Sequence, residues 1–296
     1  MSLDITIQQK GIFKKKLSLS DILMDEFEYG RYNENYVLMQ NEKSDEELTL
    51  YHPHHIARGI SVIWNENETK EIGLHMLFPT TNAEIDDLYK LVTQYCQYYK
   101  TDIFEQDGQR YTLSDIDEVK QNIKTFNLQT YQDFLSQHDA GCFFSAMWPY
   151  YFDKEIKDKW LNDLTLEIFA DDLHQQQNQD LYYANAKFYN VDKDDKKQVM
   201  GVYTVTATVD TIFPLVPKTP FCYQDFSSKD DVKADFYAVC LVSIDKNEVL
   251  STISFDEFIN ELNKRELHEF DGEHIYFDGL SENELNEIAQ KYSSVI

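Results

Sequence analysis

The stretch from Gly59 to Phe78 reads GISVIWNENETKEIGLHMLF. Its second half alternates: Ile72, Leu74, Met76 and Phe78 fall on one side of an extended chain, with Gly73, His75 and Leu77 on the other. The GISVIW run before it has the length and β-branched character of a strand. The polar Asn65-Glu66-Asn67-Glu68 between the two supplies the turn of an antiparallel hairpin. Thr81-Asn82-Ala83-Glu84 then fits a capping box, and Ile85, Leu88, Val92, Tyr95, Cys96 and Tyr99 follow at helical spacing. Paired strands followed by a helix predict an α+β fold. They disfavour a doubly wound sheet, in which strands alternate singly with helices.

The same punctuation recurs outward. Ser254-Phe255-Asp256-Glu257 and Ser281-Glu282-Asn283-Glu284 fit capping boxes, each leading an apolar stripe. A further helix is expected from Ser114 through Ile116, Val119 and Ile123, and two more near Thr130–His138 and Asp153–Asn162. Tyr203, Val205, Ala207 and Val209 alternate with threonines, while Phe236 to Ile244 is almost continuously apolar, as in a central strand covered on both sides. Asp107-Gly108 and Asp271-Gly272 each precede a capped helix. This echo raises a duplication, although Asp-Gly is also a favoured hairpin turn. The reading is two α+β sub-domains, 1–138 and 139–296, each an antiparallel or mixed sheet with helices packed on it. They meet at the aromatic junction 138–152, where Trp148, Tyr150 and Tyr151 are candidate interaction residues.

The chain has 296 residues, 42% hydrophobic and 14% aromatic, which is ample for packed cores. Its formal net charge is -26. The excess is distributed, with 24 acidic and 13 basic residues up to Tyr150 and 29 against 14 afterwards. Such a field repels phosphate backbones and attracts basic partners, so no nucleic-acid binding is expected. Lys14-Lys15-Lys16, the one basic cluster, reads as a solvated strand or turn. The N-terminal MSLDITIQQK lacks the apolar run of a secretory signal, and no apolar stretch approaches the ~20 residues of a membrane span. Cys96, Cys142, Cys222 and Cys240 are scattered, as expected of reduced thiols in a cytoplasmic protein.

Chemical signatures are sparse. Phosphate-cradling glycine loops, HExxH, GxSxG and zinc-ribbon spacings are all absent from the sequence. Asn190 to Asp195 has the acidic spacing of a calcium loop without its central Gly or closing Glu, and reads as a hairpin turn. The sharpest cluster is Tyr51-His52-Pro53-His54-His55, whose three imidazoles could ligate zinc with a distant carboxylate, or form an ordinary polar loop. Asp171-Asp172-Leu173-His174 could hold a cation, but the glutamine-rich tract after it suggests an exposed loop. Cys142 after His138 is flanked by aromatics that would raise its pKa, and His75, if its strand face is covered, reads as a hydrogen-bonded core histidine.

Several of these segments carry a resemblance: Arg58-Gly59-Ile60-Ser61-Val62, Leu77-Phe78-Pro79, Asn82-Ala83-Glu84-Ile85-Asp86, Asp107-Gly108 and Leu113-Ser114-Asp115-Ile116. Over about its first half, the chain resembles a family of uncharacterised proteins of similar length from low-GC Gram-positive bacteria, a domain of unknown function. The resemblance implies a bacterial cytoplasm and carries over no activity, cofactor or catalytic residue. The expectation is a non-enzymatic, acidic interaction protein that binds a basic protein partner in an immunity-like or regulatory role, without a cofactor. The alternatives are a metal-dependent hydrolase built on His52, His54 and His55, and a mimic of nucleic acid.

Overall fold

The computed structural model describes residues 1–11, 17–44, 47–65, 68–163, 165–193, 196–224 and 232–296. Lys14, Lys15 and Lys16 lie outside them, as do Glu66 and Asn67 of the expected hairpin turn. The architecture is α+β, with antiparallel and mixed sheets and seven α-helices among the described residues. The chain divides into two compact units, Met1–Asn178 and Gln179–Ile296.

The first unit is built on eight strands: β1 (Ser2–Gln8), β2 (Glu28–Tyr32), β3 (Leu38–Gln40), β4 (Glu47–Tyr51), β5 (Ile60–Asn65), β6 (Glu68–Leu77), β7 (Ile103–Gln106) and β8 (Gln109–Thr112). They form one antiparallel sheet in the order β3-β2-β4-β5-β6-β1-β7-β8. The expected hairpin is its centre, with Ile60 opposite Met76 and Val62 opposite Leu74. Registers extend this into rows across the sheet. Leu50–Ile60–Met76–Leu3 and Leu48–Val62–Leu74–Ile5 are no more than 1% exposed. Each such side chain contributes about 1.5–3 kcal/mol by leaving water. The alternate rows, Thr49–Ser61–His75–Asp4 and Glu47–Ile63–Gly73–Thr6–Glu105, lie on the opposite face.

After the short α1 (Leu19–Ile22), the main helices of this unit are α2 (Asn82–Tyr98) and α3 (Ile116–Gln137). All six residues of the expected apolar stripe, Ile85 to Tyr99, are buried in the core shared with the sheet. The helices expected from Ser114 and near Thr130 are one continuous α3. No Gly or Pro intervenes, and Asn127, a poor helix former, sends its amide sideways to donate to the Thr80 carbonyl and accept from the Thr80 amide, both at 2.8 Å.

The aromatic junction forms the hairpin β9 (Gly141–Phe144) and β10 (Pro149–Phe152), followed by α4 (Lys154–Leu161) and α5 (Glu167–Gln177). Asp153 caps α4, close to the expected bounds. Phe143, Tyr150, Phe152, Trp160, Phe169 and Leu173 pack with Tyr131 and Leu135 of α3 in a second core. That is why the division falls after Asn178, later in the chain than the break expected at His138. The segment from Asp171 to Gln177 is helix instead of exposed loop. Phe169, Leu173 and Gln177 recur every four residues, and all three are buried.

The second unit holds β11 (Tyr182–Tyr183), β12 (Lys187–Lys193), β13 (Lys196–Thr206), β14 (Thr211–Pro214), β15 (Phe236–Ser243), β16 (Glu248–Ser254), β17 (His268–Glu269) and β18 (His274–Phe277). Its sheets are β12-β13-β15-β16 and β11-β14-β18-β17, with parallel pairs β13–β15 and β11–β14. The apolar β15 lies between β13 and β16, the central position its composition called for. Asn190 to Lys193 belongs to β12, paired to β13, and Asp194 and Asp195 fall outside the described residues. Helices α6 (Phe255–Leu262) and α7 (Glu282–Lys291) open with the expected capping boxes. Two mixed four-stranded sheets share no strand order with an all-antiparallel sheet of eight, so the Asp-Gly echo reflects turn chemistry and not a duplicated fold.

Asn127 and Thr80 are both 0% exposed. Asn127→Ala is expected to lower unfolding stability by about 2–4 kcal/mol in urea titrations, because it strands two buried backbone groups at roughly 1–3 kcal/mol each.

Candidate functional site

Two polar constellations converge on one side of α2, where Glu84, Asp87 and Lys90 recur every three residues. The first is buried. The Gly59 amide donates to Glu84 Oε1 at 2.6 Å, and the Thr80 hydroxyl donates to Glu84 Oε2. Thr81 still caps the helix, accepting from the Glu84 amide at 3.2 Å. The Glu84 carboxylate of the expected capping box is thus turned away from the cap to bind the strand entry. Gly59 is required there: its φ is +81°, and a Cβ would sit 2.6 Å from Thr49 Cγ2. Arg58 next to it donates to the carbonyls of Phe144 at 3.0 Å and Pro79 at 3.1 Å, with its guanidinium 5.2 Å from the Phe143 ring centre. Burial pushes Glu84 above the ordinary carboxylate range, opposed by the Thr80 and Gly59 donors and by the Arg58 charge. Burial also draws Arg58 down to about 10, and the Glu84 charge opposes that. Both residues are buried and their polar atoms are spent on neighbouring backbone and side-chain groups, so this constellation is architectural.

The second constellation contains the three clustered histidines, in the turn after β4. His55 Nε2 donates to Asp87 Oδ2 at 2.6 Å, and the His52 ring stacks on His55 at 3.9 Å. His52 Nδ1 accepts the His54 amide at 3.2 Å, while Nε2 lies 4.0 Å from Glu26, which is also paired with Lys90. His174 joins them from α5, its Nδ1 accepting the Ile56 amide at 3.1 Å. The structure therefore brings the two histidine clusters of the sequence together. An imidazole nitrogen that accepts an amide proton carries none itself, so neutral His52 and His174 hold theirs on Nε2. The lone pairs a metal would need are in use on His52 and His174, and His55 Nε2 is committed to Asp87. Among the described residues, no group of three or more His, Cys, Asp or Glu converges so as to hold a cation. Burial and the neighbouring His55 hold both His52 and His174 below the ordinary histidine value.

The remaining candidates are scattered. Trp148 and Tyr150 are buried in the first unit, and Tyr151 is half-buried. Asp172 binds Lys159 and the Trp160 indole, holding α4 to α5. The His138 ring lies on Phe134, and Cys142 sits half-buried in β9. His75 is not a core histidine: it lies half-buried on the uncovered outer face of the sheet, where it bonds the exposed Asp4 at 2.7 Å. In the second unit, His268 stacks on Tyr276. His274 is buried between Asp271, at 2.9 Å, and the Tyr183 hydroxyl, at 3.1 Å. In the sequence His274 lies two residues past Asp271-Gly272, a turn signal. The distant Tyr183 had no local signal to join it to that turn.

Two outcomes follow from these groups. Glu84→Ala is expected to cost about 3–5 kcal/mol, since it leaves the Gly59 donor unmet and Arg58 without its counter-charge. His52 and His174 bind protons less readily folded than unfolded. Their stabilising contribution is therefore complete above the unfolded value, about 6.5, and is lost as pH falls through the lower folded values. His174→Gln keeps an acceptor for the Ile56 amide without titrating. The fall in melting temperature between about pH 7 and pH 5 should be shallower in this variant than in the parent. An identical pH profile would refute that assignment.

No curated protein and no solved structure matches the chain. The family model for the domain of unknown function DUF4299 matches residues 2–288, nearly the whole chain, and the protein belongs to that family.

Proposed function

We propose that the protein is a non-enzymatic acidic interaction protein that binds a basic protein partner in the cytoplasm, in an immunity-like or regulatory role. The observation that carries this reading is how the C-terminal segment uses its cations. Between Phe255 and Lys291 the chain has eleven Asp or Glu and three Lys or Arg. Lys264 and Lys291 both bind Glu261, at 2.7 and 2.6 Å, and Arg265 binds Glu284 at 2.6 Å. The lysines hold Glu261 at about 2, and the Ser281 hydroxyl together with Arg265 holds Glu284 at about 2, both well below the ordinary carboxylate range. The segment's cations are thus spent on its own carboxylates, with Lys291 tying α7 to α6, while Asp256, Glu266, Glu269, Asp278 and Glu287 stay exposed. A cationic surface meeting these carboxylates would be steered by a field that the protein's own lysines do little to cancel. No described helix is long and apolar enough to cross a membrane.

The test is affinity capture at about 150 mM salt, where screening removes mere charge attraction beyond ~8 Å, followed by reconstitution with the purified partner. The triple variant Asp256→Lys, Glu266→Lys, Glu287→Lys is expected to slow association at least about tenfold, with a smaller effect on dissociation. Failure to capture any basic protein at that salt, or equal association rates for variant and parent, would sink the proposal.

A further inference from the structure

Strands β1 and β7 pair only at Ile5–Gln106 and Thr6–Glu105. Beyond Thr6 they part, and a cleft of about 180 Å³ opens between the end of β1 and the start of β7. Its walls include Thr6, Lys10, Ile103, Glu105 and Arg110, with buried Phe104 at its base. At about 30 Å³ per water, it holds the equivalent of about six waters, room for a molecule of about six to eight heavy atoms.

The lining combines both signs of charge with one apolar wall. Lys10 lies 2.9 Å from Asp102, and Arg110 Nε lies 3.5 Å from Glu105 Oε2, beyond a good hydrogen bond. All four side chains are well exposed, so neither pair binds strongly and both can exchange partners. An arginine fork released from a loose contact favours a carboxylate, which it can hold through two parallel bonds. A simple anion would meet Glu105 and the repulsive field of the -26 chain. A zwitterion meets neither obstacle, since its net charge is zero and its ammonium can take Glu105. Ile103 is 38% exposed and offers an apolar contact.

We propose that this cleft binds a free α-amino acid with a short apolar side chain. The carboxylate sits on Arg110 and Lys10, the ammonium on Glu105, and the side chain against Ile103. The test is calorimetric titration of the full chain with alanine, 2-aminobutyrate, valine and norvaline, each compared with its deaminated acid and its decarboxylated amine. At least one amino acid should saturate the protein and bind at least about tenfold more tightly than either of its truncated counterparts. Arg110→Gln and Glu105→Gln should each weaken that binding about tenfold, with melting temperature confirming that both variants fold. Ser61→Ala, on the same sheet face outside the cleft, should leave it unchanged. The proposal falls if none of the four binds at about 10 mM, if the deaminated acid binds equally well, or if the Arg110 and Glu105 variants bind like the parent.

Discussion

The first unit depends on one carboxylate that water does not reach. Glu84 opens α2, yet its oxygens bind the amide that starts β5 and the hydroxyl that follows β6. One side chain therefore fixes a helix against both strands of the central hairpin. A carboxylate accepts hydrogen bonds in directions that an aliphatic contact cannot specify, and the cost of leaving it unsatisfied enforces the geometry. Arg58 completes the arrangement by tying Phe144 and Pro79 to the same point. Packing supplies most of the energy of this unit, and this small polar centre selects which packing is reached.

The same device appears twice more with neutral groups. Asn127 pairs with both backbone groups of Thr80, much as a neighbouring strand would. Gln177 accepts from the Met147 and Trp148 amides and donates to the Trp148 carbonyl. Each amide satisfies irregular backbone that runs through the interior, where unpaired groups would be costly. The histidine turn belongs to this pattern as well. His174 and His52 serve as acceptors for backbone amides.

Much of this was legible in the chain. The alternation from Ile72 to Phe78, the stripe from Ile85 to Tyr99 and the boxes at Ser254 and Ser281 all encode local structure by spacing, and spacing survives without tertiary knowledge. Long-range choices were not. Glu84 satisfies the capping-box pattern, yet a neighbour 25 residues earlier claims its carboxylate. Gln177 sits in a tract that composition assigns to solvent, and only the hairpin it contacts reveals it as interior. His174 and His55 are 119 positions apart in the numbering, so no local pattern could join the two clusters. The shared core around Trp160 likewise moved the unit boundary, because aromatic mass shows that a segment is buried but not against what.

The strand order has a consequence for synthesis. β1 precedes the other strands in the chain, yet it lies in the sheet between β6 and β7, with Ser2 opposite Leu77 and Thr6 opposite Glu105. Emerging from the ribosome, its apolar Leu3, Ile5 and Ile7 have no partner until the later strands appear. The β5–β6 hairpin can form locally, but closing the sheet waits for a loop spanning most of the unit. During that interval a short, alternating strand is exposed without its sheet partners. Nascent-chain chaperones would find their natural substrate there, and the vectorial order of translation sets how long it must be shielded.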